Sequence, residues 1–131
     1  DPMPGVILAA CDPANPYGAA LPWPDRPTTD ASSGKGHQPS RKAGALVALV
    51  DGDLVLYVER GGRTLLTWSE DSTRLQAAAD ALALAVREGA LGRLTVERTD
   101  GESVLRSDHP LSTALEAAGF HATSRGLRIR R

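Results

Sequence analysis

Apolar and polar positions in the middle of the chain predict a three-stranded antiparallel meander. Residues 45–50 form an apolar run, residues 54–60 alternate, and residues 63–68 form a third strand-like segment. Asp51-Gly52 separates the first two segments and favours a two-residue hairpin turn, because glycine accepts a positive φ angle. Gly61-Gly62 separates the second and third segments. The short connections indicate that each strand pairs with the next.

A helical pattern follows the meander. Its apolar positions share one stripe of a helix surface: Leu75, Ala79, Leu82 and Val86. We expect Leu84 to widen this stripe. Thr73 and Gln76 have the spacing of a capping box, with Ser72 as a competing N-cap, and Gly89 or Gly92 ends the helix.

The last third of the chain predicts a second hairpin, a short helix and a final strand. Residues 94–98 and 102–105 flank an Asp100-Gly101 turn. Pro110 suits the first turn of a short helix, which Gly119 ends. The chain closes on the strand-like sequence LRIRR. The predicted fold class is α+β: an antiparallel β-meander or partial barrel covered by one long and one short helix.

The N-terminal segment CDPANPYGAALPWP is apolar and contains four prolines. Because proline removes a backbone donor and keeps the preceding residue extended, this segment predicts an extended strap rather than a helix or central strand. Tyr17, Leu21 and Trp23 are the candidate packing or interface residues. The alternative is that Tyr17 or Trp23 is an exposed platform on which a nucleic-acid base stacks. The predicted single domain therefore has three parts: a strap at residues 1–25, a flexible loop at 26–43 and an α+β core at 44–131.

Composition limits the function classes. The formal net charge of the 131 residues is −1, so overall charge does not indicate a nucleic-acid or membrane partner. A single cysteine, Cys11, favours a reducing compartment, and no apolar run reaches eighteen residues. We expect a cytoplasmic, nucleoid-associated protein with no membrane contact. The opening DPMPGV lacks the features of a signal peptide and suggests a piece of a longer chain.

Catalytic and metal-binding motifs are weak. The segment SSGKGH lacks the first glycine and the hydroxyl residue of a phosphate-binding loop, and Cys11 is expected to be a small buried residue. Glu97, Asp100 and Glu102 cluster around a hairpin, where solvation explains them. The potential metal ligands are scattered: Cys11, His37, His109 and His121. We therefore expect neither catalytic nor metal-ligating residues, and no cofactor in this chain.

Arginines near the C-terminus are the best local signal. The candidate nucleic-acid contacts are Arg125, Arg128, Arg130 and Arg131, extended by Arg60 and Arg63 beside the Gly61-Gly62 loop. In the sequence RGLRIRR, alternation places Leu127 and Ile129 on one face and arginines on the other. Guanidinium groups bind phosphates through charge-assisted hydrogen bonds. The alternative is a solvated strand face whose charges deter edge pairing.

Three long segments carry a resemblance to a known family. They are DPANPYGAALPWP, GHQPSRKAGALVALVDGDLVLYVERGGRTLLTW and LEAAGFHATSRGLRIRR. Together they resemble the C-terminal end of long-form Lhr (large helicase-related) proteins, which are bacterial superfamily 2 DNA helicases. The Ala/Gly/Arg-rich composition is similar to that of an actinobacterial member.

The resemblance implies a parent protein that hydrolyses ATP with Mg²⁺, translocates 3′ to 5′ on single-stranded DNA and acts in DNA repair. It also implies that this chain is a non-catalytic accessory domain following winged-helix modules, with no cofactor of its own. The implied partners are DNA (single-stranded or a repair intermediate), other modules of the same helicase chain and, in the full protein, further copies in a homo-oligomer.

Three roles follow for the chain. The first is DNA contact through the arginine-bearing hairpins. The second is an assembly module that packs against winged-helix modules or other protomers through the strap and the meander edge. The third, uracil-DNA glycosylase chemistry, is implied for some family members with an Asp close to the C-terminus. Here residues 122–131 contain no Asp or Glu, and the nearest carboxylate is Glu116.

Overall fold

The computed structural model describes residues 5–24, 39, 43–69, 71–89, 94–100, 102–105 and 110–129. Its α+β architecture confirms the predicted fold class. In chain order the elements are β1 Gly5–Ala9, β2 Leu46–Val50, β3 Asp53–Val58, β4 Thr64–Thr67, α1 Ser72–Arg87, β5 Leu94–Val96, β6 Arg98–Thr99, β7 Glu102–Ser103, α2 Pro110–Ala118, β8 His121–Ala122 and β9 Leu127–Ile129. Most of the predicted loop at 26–43, with SSGKGH, lies outside the described residues, as do Arg130 and Arg131.

The larger sheet has six strands in the order β1-β2-β3-β4-β6-β7. Strands β2, β3 and β4 form the predicted antiparallel meander, and β1 extends it by pairing with β2. The pairing on the other side of β4 was not predicted from the sequence: β4 pairs in parallel with β6, through Thr64↔Arg98 and Leu65↔Thr99. Within the described residues this sheet is open, with β1 and β7 at its two edges.

The β2–β3 hairpin forms at the predicted Asp51-Gly52 turn. Asp51 has a φ of 54° and Gly52 a φ of 83°, as a type I′ turn requires at both central positions. A register shift between Ala48 and Leu49 marks a local bulge in β2. The sequence therefore specifies this hairpin through its turn, although not the bulge.

Two layers cover the larger sheet and leave β3 buried. Leu56 and Val58 belong to the apolar cluster that contains both helices. Tyr57, also in β3, belongs to a second cluster formed with the strap residues Tyr17 and Trp23. Because both clusters draw on β3, nearly all of this strand is buried rather than alternating between core and solvent.

Helix α1 buries the predicted stripe, but its N-cap differs from the prediction. Asp71 is the N-cap, and its carboxylate accepts a hydrogen bond from the backbone N–H of Thr73. The capping box of Thr73 and Gln76 and the competing Ser72 cap are therefore both wrong: Asp71 lies two residues before Thr73 and one before Ser72, and aspartate is an equally strong cap. Leu84 was also assigned wrongly, since 54% of it is exposed. Gly89 has a φ of 83° just beyond the helix, as predicted for a helix stop.

Helix α2 packs against α1 through the predicted apolar residues. Leu111 and Leu115 are fully buried, and Phe120, just after the helix, is 3% exposed. The N–H of Phe120 donates to the carbonyl of Leu115, which turns the chain back over the last helical turn. From α1, the Arg87 guanidinium donates to the carbonyl of Ala118 and caps the C-terminal end of α2. No helix in the described part of the chain is long and apolar enough to cross a membrane.

Candidate nucleic-acid interface

Strand β9, the described part of the arginine-rich C-terminal segment, is the central strand of a three-stranded sheet. The order is β5-β9-β8, and both pairings are antiparallel. The interpretation of this segment as an edge strand is therefore wrong, because each side of β9 is already occupied. Leu127 and Ile129 face the core and are 2% and 3% exposed. The alternation predicted from the sequence is thus present, with Arg128 on the opposite face.

Arg128 is the middle residue of a row across all three strands. Its Cα partner is Thr95 on β5 and His121 on β8. The Arg128 Nε–H donates to Thr95 Oγ1 at 3.3 Å, which fixes the orientation of the guanidinium. His121 is exposed, while Thr95 and Arg128 are half-buried. Among the described residues no carboxylate forms an ion pair with Arg128, so its charge remains available to a ligand.

Arg125 lies in a well-braced turn between β8 and β9. The hydroxyl of Thr123 accepts from the backbone N–H of Arg125 and of Gly126, both at 3.2 Å, and donates to the Gly126 carbonyl at 2.9 Å. Gly126 also lies against β5: a Cβ there would be 2.9 Å from the Val96 carbonyl carbon and 3.1 Å from Glu97 Cα. A glycine at position 126 is therefore needed for this turn to lie beside the end of β5. The turn carries the exposed Arg125.

Arg63 reaches the same place from the β3–β4 hairpin. Its carbonyl accepts from the N–H groups of Glu97 and Arg98, at 2.8 and 3.0 Å. Its side chain is 73% exposed, and Nε lies 3.8 Å from Glu97 Oε2. Because the turn carrying Arg125 lies against the backbone of Glu97, the structure places Arg63 and this turn beside the same residue.

Arg60 is placed differently. It is exposed, and its aliphatic stem lies over Gly44, where an added Cβ would be 2.9 Å from Arg60 Cγ. Its described contact is therefore towards the start of β2 rather than towards Glu97. Arg130 and Arg131 lie outside the described residues. Of the six arginines predicted as nucleic-acid contacts, the structure brings Arg63, Arg125 and Arg128 to the three-stranded sheet and its adjoining turn.

Three polar residues at this site were missed from the sequence: Thr95, Arg98 and His121. Thr95 and His121 reach Arg128 only through the pairings of β9 with two distant strands. Arg98, which is exposed, joins the site through the parallel β4–β6 pairing. The only available signal for Arg98 was its charge beside the predicted Asp100-Gly101 turn.

The strap packs on its own domain. Tyr17 is 9% exposed, and its hydroxyl donates to the Gly52 carbonyl at 3.2 Å. The Trp23 ring makes an edge contact with Tyr57, with centroids 5.8 Å apart, and stacks on Trp68 at 6.4 Å. Leu21 is 45% exposed, although its carbonyl accepts a hydrogen bond from the Gly18 N–H within the strap. Tyr17 and Trp23 therefore use their rings within the domain rather than as an open stacking platform.

The side chains considered for catalysis have structural roles or are dispersed. The Asp100 carboxylate accepts from the Thr67 N–H at 2.9 Å and from the Thr67 hydroxyl at 2.6 Å, tying the β6–β7 turn to β4. Cys11 is exposed, so its assignment as a buried residue is wrong, because the chain turns at the surface there. Within the described ranges, no group of three or more His, Cys, Asp or Glu residues is placed to hold a metal ion.

A further arginine, Arg74, belongs to a separate surface. It lines a cavity of about 350 Å³ at the end of the strap, together with Tyr17 and Trp68. Arg74 Nη1 lies 2.9 Å from Asp53 Oδ2, and this hydrogen bond raises the pKa of the guanidinium above its ordinary value. Because none of the residues lining this cavity belongs to the three-stranded sheet, Arg74 is a control for the arginines of that sheet.

Comparison with known proteins identifies long relatives. The chain is 52% identical over 130 residues to a protein of Mycolicibacterium smegmatis described as an Lhr helicase and probable uracil glycosylase. It is 37% identical over 123 residues to the Lhr helicase/uracil glycosylase of Escherichia coli. These matches cover 95% and 93% of this chain, but only 8% and 7% of the relatives. No protein-family profile matches the chain. As the counterpart of one short segment of those long proteins, the chain belongs to the Lhr helicase family.

Proposed function

We propose that this chain is the C-terminal accessory domain of an ATP-dependent 3′–5′ DNA helicase that acts in DNA repair, and that it contacts DNA. The contact is made by Arg125 and Arg128 on the three-stranded sheet, with Arg63 beside them. The observation that carries the proposal is the Arg128 guanidinium: it is oriented by Thr95, and no described carboxylate pairs with it. ATP and Mg²⁺ belong to the motor of the parent protein.

Salt dependence tests this role. A protein that neutralises phosphates releases counterions, so each contact on single-stranded DNA adds about −0.7 to the slope of log K against log salt. Three arginine contacts predict a slope of about −2, or a loss of about 20-fold in affinity between about 50 and about 200 mM salt. Fluorescence anisotropy with labelled single-stranded and duplex DNA measures this slope.

Two substitutions locate the contact. Arg125→Ala combined with Arg128→Ala is expected to reduce the salt slope by about 1.4 units on single-stranded DNA. Arg74→Ala is the control, since it removes an arginine from a separate surface, where Asp53 pairs with it at 2.9 Å. Unchanged circular dichroism would show that the double variant still folds. Binding that the double variant retains in full, or no binding by the original chain at low salt, would refute the proposal.

An assembly role is the second candidate, and the exposed apolar residues beside β1 favour it. A groove of about 610 Å³ between β1 and α1 is lined in part by Gly5, Ala77, Ala81 and Leu84. At Gly5, an added Cβ would be 2.7 Å from the Ala77 carbonyl, so glycine permits this close approach of strand and helix. Exposed fractions are 48% for Val6 on the edge strand and 54% for Leu84.

The occupant of this groove in the assembly role is another segment of the same helicase chain, because this chain is only 7–8% of its relatives' length. The remainder of the parent protein, added in trans, is expected to bind this chain and to lose binding to Leu84→Asp. Leu105→Asp is the control, since Leu105 is also exposed, at 43%, but does not line the groove. Equal binding by both variants would exclude the groove as the assembly surface.

Both relatives also carry the word glycosylase in their names. The sequence gives little support for that chemistry in this chain, because residues 122–131 contain no carboxylate. Incubation of uracil-containing DNA with the chain is expected to yield no abasic sites above a control without protein. Accumulation of abasic sites would assign the third role to the chain.

A further inference from the structure

The hydrogen-bonding groups on the outer face of the three-stranded sheet suit an anion better than a base edge. Thr95 Oγ1 accepts from Arg128 Nε, which leaves its own O–H to donate. The guanidinium of Arg128 has N–H donors and no acceptor. Phosphate oxygens only accept hydrogen bonds, whereas the edges of adenine and cytosine also present donors, and among purines only guanine offers arginine a pair of acceptors, O6 and N7. The row Thr95–Arg128–His121 therefore matches the phosphate groups of a nucleic-acid strand.

The aromatic residues of the chain are all placed elsewhere. The sequence contains two Trp, two Tyr and one Phe. Four of these, Tyr17, Trp23, Tyr57 and Trp68, belong to the cluster beneath the strap, and Phe120 is 3% exposed in the helix-bearing cluster. Proteins that hold single strands through their bases stack those bases on exposed aromatic rings. The three-stranded sheet offers no Trp, Tyr or Phe for this purpose.

The row also has suitable dimensions. Neighbouring strands lie about 4.8 Å apart, so three residues in register on three strands span about 10 Å. Arg125, in the turn between β8 and β9, and Arg63, on the β3–β4 hairpin, add positive charge near the C-terminal end of β5 and the start of β9.

We propose that the outer face of the sheet at Thr95, Arg128 and His121 binds the sugar-phosphate backbone of a nucleic-acid strand without contacting its bases. This inference rests on the proposed function, since it specifies the ligand chemistry of the same surface. It adds Thr95 and His121 as binding residues. It also makes the affinity independent of base sequence, so this domain positions a strand and leaves its bases accessible to other parts of the parent protein.

Abasic DNA tests the inference directly. The 131-residue chain is titrated, at low salt, into two labelled oligonucleotides of equal length: mixed-sequence single-stranded DNA and a fully abasic strand of tetrahydrofuran sites. We expect the two dissociation constants to agree within about twofold. Each base stacked on an aromatic ring contributes about fivefold or more to affinity, so base contacts would weaken abasic binding by at least that factor.

Two variants in the row and one control on α2 test whether the row makes the contact. Thr95→Val keeps a β-branched residue in the strand but removes the hydroxyl, and Arg128→Gln removes the charge. Each variant is expected to weaken binding to the mixed-sequence and the abasic probe equally, by about threefold or more. Thr113→Val, at an exposed position of α2, is the matched control and should bind both probes like the original chain.

The outcomes separate the inference from the proposed function. Binding of mixed DNA that falls more than about fivefold on the abasic strand would overturn backbone-only recognition and leave DNA binding intact. Equal binding that Thr95→Val and Arg128→Gln leave unchanged would move the contact elsewhere and also overturn the inference. No binding to either probe would refute the proposed function itself.

Discussion

Asn15 is the polar residue that fixes the strap, and its replacement by alanine should destabilise the domain. The Asn15 side chain is buried, with a relative exposure of 1%. Its Nδ2 donates to the Ala10 carbonyl at 2.8 Å, and its Oδ1 accepts from the Tyr17 N–H at 3.1 Å. Asn15→Ala thus leaves two buried backbone groups without their side-chain partner: the carbonyl of Ala10 and the N–H of Tyr17.

The cost follows from those two groups. A buried backbone group that loses its partner costs about 1–3 kcal/mol. At about 1–2 kcal/mol for each of the two groups, in the lower part of that range, Asn15→Ala should lower the free energy of unfolding by about 2–4 kcal/mol. Domains of this size have about 5–15 kcal/mol of stability in total, so the variant should still fold. With a urea m-value of about 2 kcal/mol/M, the unfolding midpoint should fall by about 1–2 M.

The tryptophans make the assay specific for the strap. Trp23 and Trp68 stack with centroids 6.4 Å apart, so their fluorescence reports whether the strap is docked, while circular dichroism reports the sheet and helices. Urea unfolding of Asn15→Ala should shift both signals together. Ser69→Ala is the matched control: its hydroxyl also accepts from the N–H two residues later, but at an exposed site. A midpoint shift for Asn15→Ala no larger than that for Ser69→Ala would refute the structural role of Asn15.

The remaining predictions concern backbone contacts at three other points. Asp71→Ala should lower the free energy of unfolding in urea by about 1 kcal/mol through loss of the α1 N-cap, whereas Ser72→Ala should lower it by less than about half of that. The reverse order would show that Ser72, the competing cap in the sequence, is the N-cap. Asp100→Ala should lower the free energy of unfolding by about 2–4 kcal/mol, because two hydrogen bonds to Thr67 are lost and alanine is strained at a φ of 52°. A decrease below about 1 kcal/mol would contradict this prediction. Gly126→Ala should weaken DNA binding by displacing the turn from β5 while most helical circular dichroism remains, and unaltered binding would show that the turn position does not matter.

Local sequence signals predicted the parts of this fold that depend on neighbouring residues. The Asp51-Gly52 turn specified the β2–β3 hairpin, and the spacing of Leu75, Leu82 and Val86 specified the buried face of α1. Leu84 departed from its prediction because it lies on the side of α1 opposite the buried stripe, which Ala78 and Ala83 widen instead. The N-cap lies one residue before Ser72 and two before Thr73, because several adjacent polar residues have nearly equal capping strength.

Pairings between distant segments were not predictable in the same way. Strand β9 follows β5 by about thirty residues and follows β8 by only a short turn, yet it lies between them. Strand β6 has two residues and pairs in parallel with β4, a geometry that no turn specifies. Short strands of this kind carry little periodicity, and their partners are selected by packing against the helices rather than by local preference.

The same distinction explains the candidate interface. Alternation in the sequence showed that Arg128 faces away from Leu127 and Ile129, because side-chain direction along a strand has a period of two. It did not show what lies beside Arg128, since Thr95 and His121 are brought there by pairings on both sides. A central position also changes the physical meaning of the arginine. On an edge strand its charge would oppose further pairing, but on a strand already paired on both sides it has no such role. The half-buried guanidinium, held by Thr95 and facing no described carboxylate, supports the anionic ligand that we propose, whereas protection of an edge does not apply to it.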